Sequence, residues 1–339
     1  MLELDEALGL ATKALAYYDL PADSSLTLVK RRENVVYRLD SGELSYALRL
    51  HRVGYRTDAQ LTAELAHMSR LATAGVTLPT VFETIAGEQF CRVVDARGTV
   101  HQVDLLSWFD ASPMGDIAEA FAGTESVHFD RFEQLGGLLA QMHAEVATWP
   151  AEPLDRVAWD LEGLAGADLV WGDPLRAFAD GSDERAIVAK ALEVARERVS
   201  DYGQGRDVFG PIHGDCTPEN VLLAADRMYV IDFDDFGEGY FLFDLATVLF
   251  FYGPHPNRNQ IAKSLLRGYQ SQRKLSPADL AMLDVFDFLR GTTYLGWSAD
   301  RRGDETAEFI LAEVAPHVLH LAQGVLDSAP LGGQKRARR

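Results

Sequence analysis

Ile212-His213-Gly214-Asp215-Cys216-Thr217-Pro218-Glu219-Asn220-Val221-Leu222-Leu223, followed by Tyr229-Val230-Ile231-Asp232-Phe233-Asp234-Asp235, is the stretch on which the fold turns. An Asp, an Asn five residues on, a short strand, a turn and a second strand ending in Asp can converge three oxygen-bearing side chains on one point. Phosphoryl transfer requires such a point. The transferred group asks for in-line positioning and cations over its developing charge, and Mg²⁺ takes hard oxygen ligands while keeping waters and phosphates. Taken singly, Asp215 and Asn220 suit an ordinary turn and Asp232 a helix cap. Together, between apolar strands, they favour the chemical reading.

Upstream of this stretch, residues 5–19 carry Leu8, Ala11, Leu15 and Tyr18 at helical spacing and end before Pro21. Short β-rich runs follow at Leu26–Val29, Val35–Leu39 and Tyr46–Leu50, with Asp40-Ser41-Gly42 as a hairpin turn. Thr57–Ala74 reads as an amphipathic helix closed by Gly75, with Leu61, Leu65, Met68 and Leu71 on one stripe. Strand candidates recur at Thr80–Ile85, Phe90–Val94 and Val100–Leu106 before Ser107–Gly115 breaks the pattern. Beyond that break the chain turns helical, at Phe129–Val146, Asp183–Ser200, Phe243–Phe251, Asn259–Gln272, Pro277–Leu289 and Thr306–Leu326. Residues 149–181 have weak periodicity and read as a long irregular insertion, either a functional lid or a surface loop.

The expected architecture is therefore α+β: a small antiparallel β-sheet lobe with one main helix over 1–107, a larger mainly α-helical lobe over 108–327, and a disordered basic tail over 328–339. A chain of 339 residues suits two cores better than one. Its net charge of -19 argues against nucleic-acid backbone binding. The two cysteines, Cys91 and Cys216, imply neither a disulfide framework nor a zinc site. The N-terminus lacks the pattern of a signal peptide, and no stretch reads as long and apolar enough to span a bilayer, so a cytoplasmic location with no membrane partner is expected.

In these motifs the chain resembles the aminoglycoside phosphotransferase and choline kinase-like family, small-molecule kinases with the two-lobed protein-kinase-like fold. His213, Gly214, Asp215, Asn220, Ile231 and Asp232 match its pattern of H-G-D, four residues, N, then hydrophobic-I-D. The resemblance implies ATP and Mg²⁺ as cofactors, Asp215 as the base for the acceptor hydroxyl, and Asn220 and Asp232 as Mg²⁺ ligands. It also implies that Arg49 grips the ATP phosphates, bidentately, with Glu64 as its ion-pair partner. Asn34 ends the polar loop Lys30–Asn34, whose backbone N–H groups face phosphates. Leu106 and Trp108 mark the hinge that hydrogen-bonds adenine. His213 braces the loop from behind, and Asp244, in Tyr240–Ala246, ties a helix to it. Arg49 stands where many members have Lys, Thr217 where many have His, and the polar loop has no glycine.

The acceptor pocket is expected from 149–181 and the late helices, where Arg290, Tyr294 and Trp297 share a helical face and their aromatics could stack on a substrate or a cation, or simply be core. The function that follows is transfer of the γ-phosphate to a hydroxyl of a small polar metabolite, such as an amino alcohol, a homoserine-like compound, a sugar or an aminoglycoside. The alternatives are a bacterial Ser/Thr protein kinase of the stress-response type and a non-catalytic nucleotide-binding regulator.

Overall fold

Residues 3–21, 23–31, 34–150, 154–224 and 227–328 are described by the structure, a computed structural model. Arg32 and Glu33 of the polar loop, residues 151–153 of the expected insertion, and 329–339 of the expected tail lie outside them. The chain divides into two compact units. The first is Met1–Met114 with two later segments, Pro150–Arg156 and Glu219–Asp234; the second is Gly115–Trp149, Val157–Pro218 and Asp235–Arg339.

In the first unit, helix α1 (Leu4–Ala14) leads into strands β1 (Ser25–Arg31), β2 (Val35–Ser41) and β3 (Leu44–Leu50). Helix α2 (Asp58–Thr73) and strands β4 (Val81–Phe82), β5 (Cys91–Val94) and β6 (Val100–Ser107) follow. The sheet is antiparallel in the order β1-β2-β3-β6-β4, with β5 also on β6. Successive strand side chains point to opposite faces. Val35, Tyr37 and Leu39 of β2, Leu48 and Leu50 of β3, and Val103 and Leu105 of β6 accordingly meet Ala7, Leu10, Ala11 and Ala14 of α1 in one core. The intervening residues of β3 and β6 include Arg49 and Asp104, which register pairs directly across the two strands. Helix α2 starts at a capping box, Thr57 with Gln60, which satisfies two of its orphan N–H groups. A second small sheet joins β7 (Ser112–Pro113) to the hairpin Val221–Ala224 and Arg227–Val230.

The second unit is mainly helical: α3 (Ile117–Ala122), α4 (Phe129–Val146), α5 (Leu161–Ala165), α6 (Asp183–Tyr202), α7 (Phe241–Phe251), α8 (Arg258–Gln270), α9 (Pro277–Ala299), α10 (Glu305–Phe309) and α11 (Ala315–Asp327). Every residue of α7 is buried, as its unbroken apolar sequence demands, and α9 packs along it. Helices α4 and α8 approach closely because Gly136 and Gly268 present no side chain; a Cβ at Gly268 would stand 1.8 Å from the Glu133 carbonyl.

Three expectations are corrected here. Residues 154–181 are irregular only in part: Ala158–Trp159 pairs in parallel with Gly237–Tyr240, which also pairs with Phe209–Ile212, and α5 and a 3₁₀ turn at Pro174–Ala177 pack against α9. Helix α9 continues ten residues past Leu289, because Gly291 and Gly296 fit against Phe250 and the Gly172 backbone without breaking the ladder. Finally, Glu305–Asp327, a continuous helical run with a π turn at Ile310–Val314, is long and apolar enough by length and composition to cross a membrane, with a mean hydropathy of 1.4 over an 18-residue window within it. Its buried residues, Val314, Val318, Ala322 and Val325 among them, belong to a run that packs against α6 and α9.

Candidate active site

The loop after Phe209–Ile212 hangs from one carboxylate. Asp244, in the first turn of α7, accepts hydrogen bonds from the His213 and Gly214 N–H groups at 3.0 and 2.9 Å. His143 on α4 donates to it as well, Nε2 to Oδ2 at 3.0 Å, while Nδ1 takes the Tyr269 hydroxyl at 3.0 Å. Burial alone would raise the Asp244 pKa, but these hydrogen bonds and the His143 ring hold it below the usual carboxylate range. Gly214 sits at φ 82°, a left-handed conformation, and a Cβ there would come 2.4 Å from the Asp235 carbonyl, so only glycine fits. His213, fully buried, accepts the Asp215 N–H on Nδ1 at 3.2 Å, which is the bracing position expected of it. Cys216, beside Asp215, is buried, and burial pushes its thiol pKa well up, away from reactive thiolate.

Asp215 itself meets two residues of α9. The Arg290 guanidinium donates through Nη2 to its Oδ1, and through Nη1 to the Gly214 carbonyl at 3.1 Å. The Tyr294 hydroxyl donates to the same Oδ1 at 3.1 Å. Arg290 is fully buried, with its guanidinium over the rings of Trp171, Tyr294 and Phe243 at 4.7, 4.2 and 5.5 Å. Of the two aromatics on that helical face, Tyr294 thus packs against a cation that belongs to the chain itself. Trp171, from the expected insertion, supplies one wall. Trp297 is elsewhere, stacked under Arg301 at 4.4 Å.

In the first unit the structure brings Arg49 and Glu64 together, Nη2 to Oε1 at 3.0 Å. It adds a partner that the sequence reading missed: Asp104 takes Arg49 Nε at 2.9 Å and Nη2 at 2.7 Å, and His51 Nε2 lies 2.8 Å from the same carboxylate. Asp104 is fully buried; burial would raise its pKa, but Arg49 and His51 hold it well below the usual range. The Nε–Nη2 edge of Arg49 is thereby engaged by Asp104, and Nη1 is the end that none of the described residues engages. The available signal was an Asp alone in the apolar run Val100–Leu106, flanked by the core residues Val103 and Leu105. At the expected hinge, Leu106 pairs in register with Ala47 and Val81, and the Trp108 N–H donates to the Ser45 carbonyl at 3.3 Å.

The first unit also carries Asn220 and Asp232, whereas Asp215 belongs to the second. Ile231 N–H donates to the Asn220 carbonyl at 2.9 Å, which sets the two chain segments side by side. Asp232 has φ 66°, the single non-glycine residue with positive φ among those described, a sparsely populated backbone conformation. Two residues on, Asp234 is buried and accepts the Asn34 amide at 3.0 Å. Burial, then the charges of Glu64 and Asp232, push its pKa up to about 6. Asn34 Oδ1, Asp234 Oδ1 and Glu64 Oε2 are buried acceptors with no hydrogen-bond donor among the described residues. Orphaned oxygens beside Asn and Asp side chains make a hard donor set, and such a set fits a Mg²⁺–nucleotide.

An antiparallel sheet unit with a buried Arg–Glu pair and an acidic turn, in one chain with a helical unit whose H-G-D loop is held from behind, is the layout of a kinase-like phosphotransferase. A microcompartment-associated aminopropanol kinase of known structure shares 30% sequence identity at a TM-score of 0.81, covering 95% of this chain and 98% of that one. An amicoumacin kinase of Bacillus subtilis (strain 168) is 21% identical over 82% of this chain and 80% of its own. The structure of an amicoumacin kinase in complex with AMP-PNP and Ca²⁺ has the same fold, at a TM-score of 0.74 and 19% identity over 93% of each chain. Residues 26–283 match the model of the phosphotransferase enzyme family, and the chain belongs to that family. It is a kinase acting on the hydroxyl of a small molecule.

Proposed function

We propose that this kinase transfers the γ-phosphate of ATP, with Mg²⁺, to the hydroxyl of a small amino alcohol or a related polar metabolite. One observation carries the assignment of the base: Asp215 Oδ1 is occupied by Arg290 and Tyr294, so the carboxylate is fixed in orientation with one oxygen spent. A carboxylate held in this way is a suitable acceptor for the hydroxyl proton, and a positioned base of this kind contributes about 10²–10⁴-fold. Asn220 and Asp232 would hold the metal, whose role when bound is to neutralise charge on the phosphates. Arg49 would reach a phosphate through Nη1, with Asp104 and Glu64 keeping the guanidinium in place. The amino-alcohol class rests on the likeness to the aminopropanol kinase, which spans nearly the whole of both chains.

The test is ADP release, coupled to a reporter reaction, across amino alcohols, sugars, aminoglycosides and Ser/Thr peptides, beside Asp215→Ala and with Mg²⁺ withdrawn by EDTA. Acceptor-dependent release is expected to be highest with amino alcohols, to vanish in EDTA, and to fall about 10²–10⁴-fold in Asp215→Ala with nucleotide binding retained. Equal turnover in the variant would refute the base. Turnover on peptides alone would mean a protein kinase.

A further inference from the structure

The segment ending at Arg156 returns from the helical part of the chain to the first unit, and it delivers one side chain of unusual connectivity. The Arg156 side chain is 1% exposed. Its Nη1 donates to the Gln60 carbonyl of α2 at 3.3 Å and lies 3.5 Å from Glu64 Oε2. Its Nη2 donates to the carbonyls of Phe233 and Asp234, at 3.3 and 2.5 Å. Arg56 reaches the same Asp234 carbonyl from the other end of the unit's sequence.

These carbonyls are the two that follow Asp232. A left-handed Asp carries a cost, because its Cβ crowds the neighbouring backbone, and contacts that fix the residues around it offset that cost. Before it, the Ile231 N–H is tied to Asn220. After it, both carbonyls are tied to Nη2 of Arg156, while Nη1 anchors the same planar guanidinium to Gln60 and Glu64, a spread that a lysine ammonium cannot reproduce. Glu64, shared between Arg156 and Arg49, carries the connection on to Asp104.

We propose that Arg156 is a positioning residue for the metal turn: it fixes the backbone after Asp232 so that this carboxylate is aimed, and through Glu64 it locks that turn to Arg49. The inference rests on the reading of Asp232 as a metal ligand. Residues that orient metal ligands are worth about 10–100-fold in metal affinity. Arg156 is built to act on the metal-dependent part of nucleotide binding and not on the part that adenine and ribose supply.

Calorimetric titration of AMP-PNP into wild type, Arg156→Met and Arg156→Lys, each with excess Mg²⁺ and again in EDTA, separates these parts. Arg156→Met is expected to lose about 10-fold or more of the Mg²⁺-dependent gain in affinity, with its EDTA affinity within about twofold of wild type. Arg156→Lys should fall between them. It also serves as the deciding variant if melting shows that Arg156→Met does not fold. A full Mg²⁺-dependent gain in the folded variants overturns the proposal while leaving the metal reading intact. An equal loss in EDTA also overturns it, since that is what a merely structural arginine would give. If wild type itself gains nothing from Mg²⁺, the metal reading fails first, and this inference with it.

Discussion

Arg290 faces a carboxylate, a carbonyl and three aromatic rings while fully buried, so its charge is compensated by neighbours and not by water. A charge-assisted hydrogen bond of this kind is worth about 1.5–3 kcal/mol. Arg290→Met takes the guanidinium partner from Asp215, so kcat should fall about 10–100-fold while the KM for ATP holds; steady-state kinetics with a saturating acceptor measure both. Arg290→Lys should recover only part of the loss, since an ammonium cannot span the Gly214 carbonyl and the Asp215 carboxylate together. A kcat unchanged in Arg290→Met would show that the base needs no such partner. At this scale legibility follows sequence distance. Asp215, Asn220 and Asp232 stand out because their spacing is local and specific. Asp104, His143 and Arg156 do not, because each takes its meaning from a partner 50 or more residues away, at Arg49, Asp244 and the 233–234 backbone.

Helix α7 shows the same division between local pattern and distant contact. Its apolar run Phe241–Phe251 announces a buried helix, while the one acid within it, Asp244, is explained only by the loop that returns to it. Asp244→Ala removes the acceptor from two backbone N–H groups and His143 at once, all within a buried site. The expected cost is about 3–5 kcal/mol, seen as a lower midpoint in urea unfolding at neutral pH. A cost below about 1 kcal/mol would mean that water takes the place of the carboxylate. Helices α2 and α4 were readable almost to the residue because their apolar stripes are strong and their ends are marked. Periodicity failed at 154–181, where the strand Ala158–Trp159 has two residues and α5 has five, too short for either period to show. It also bounded the helix at Leu289, although Arg290, Tyr294 and Trp297 read as one helical face and α9 runs on to Ala299 with its glycines in close packing.

For the whole molecule, the fold class followed from the order of elements, strands then helices, and from one motif. Its response to acid depends instead on where single ionisable groups are buried, which element order does not reveal. His317, at the start of α11, packs edge-on to Phe121 and against Phe250, and its Nε2 has no hydrogen-bond partner among the described residues. Gly253 makes room for the ring, since a Cβ there would stand 2.2 Å from Nε2. Burial, reinforced by the positive charges of Arg258 and His320, lowers its pKa from the usual 6.5 to about 4. Between those values the unfolded chain binds a proton that the folded chain refuses, so this residue makes stability fall as pH falls from 6.5 toward 4. Each full proton of difference is worth about 1.4 kcal/mol per pH unit, and partial solvent contact of the ring reduces that to roughly 1 kcal/mol. Asp287, pushed up to about 6 by burial despite its pairing with Arg258, has the opposite sign, since the folded chain there holds the proton longer. The wild-type curve alone would therefore blur the two, and the comparison with His317→Gln isolates one of them. Urea unfolding of both proteins at pH 7, 6 and 5 should show the wild type losing ground to the variant by roughly 1 kcal/mol per unit below pH 6.5, with the gap constant above it. A gap that stays flat from pH 7 to 5 would mean that the His317 ring finds water when it is protonated.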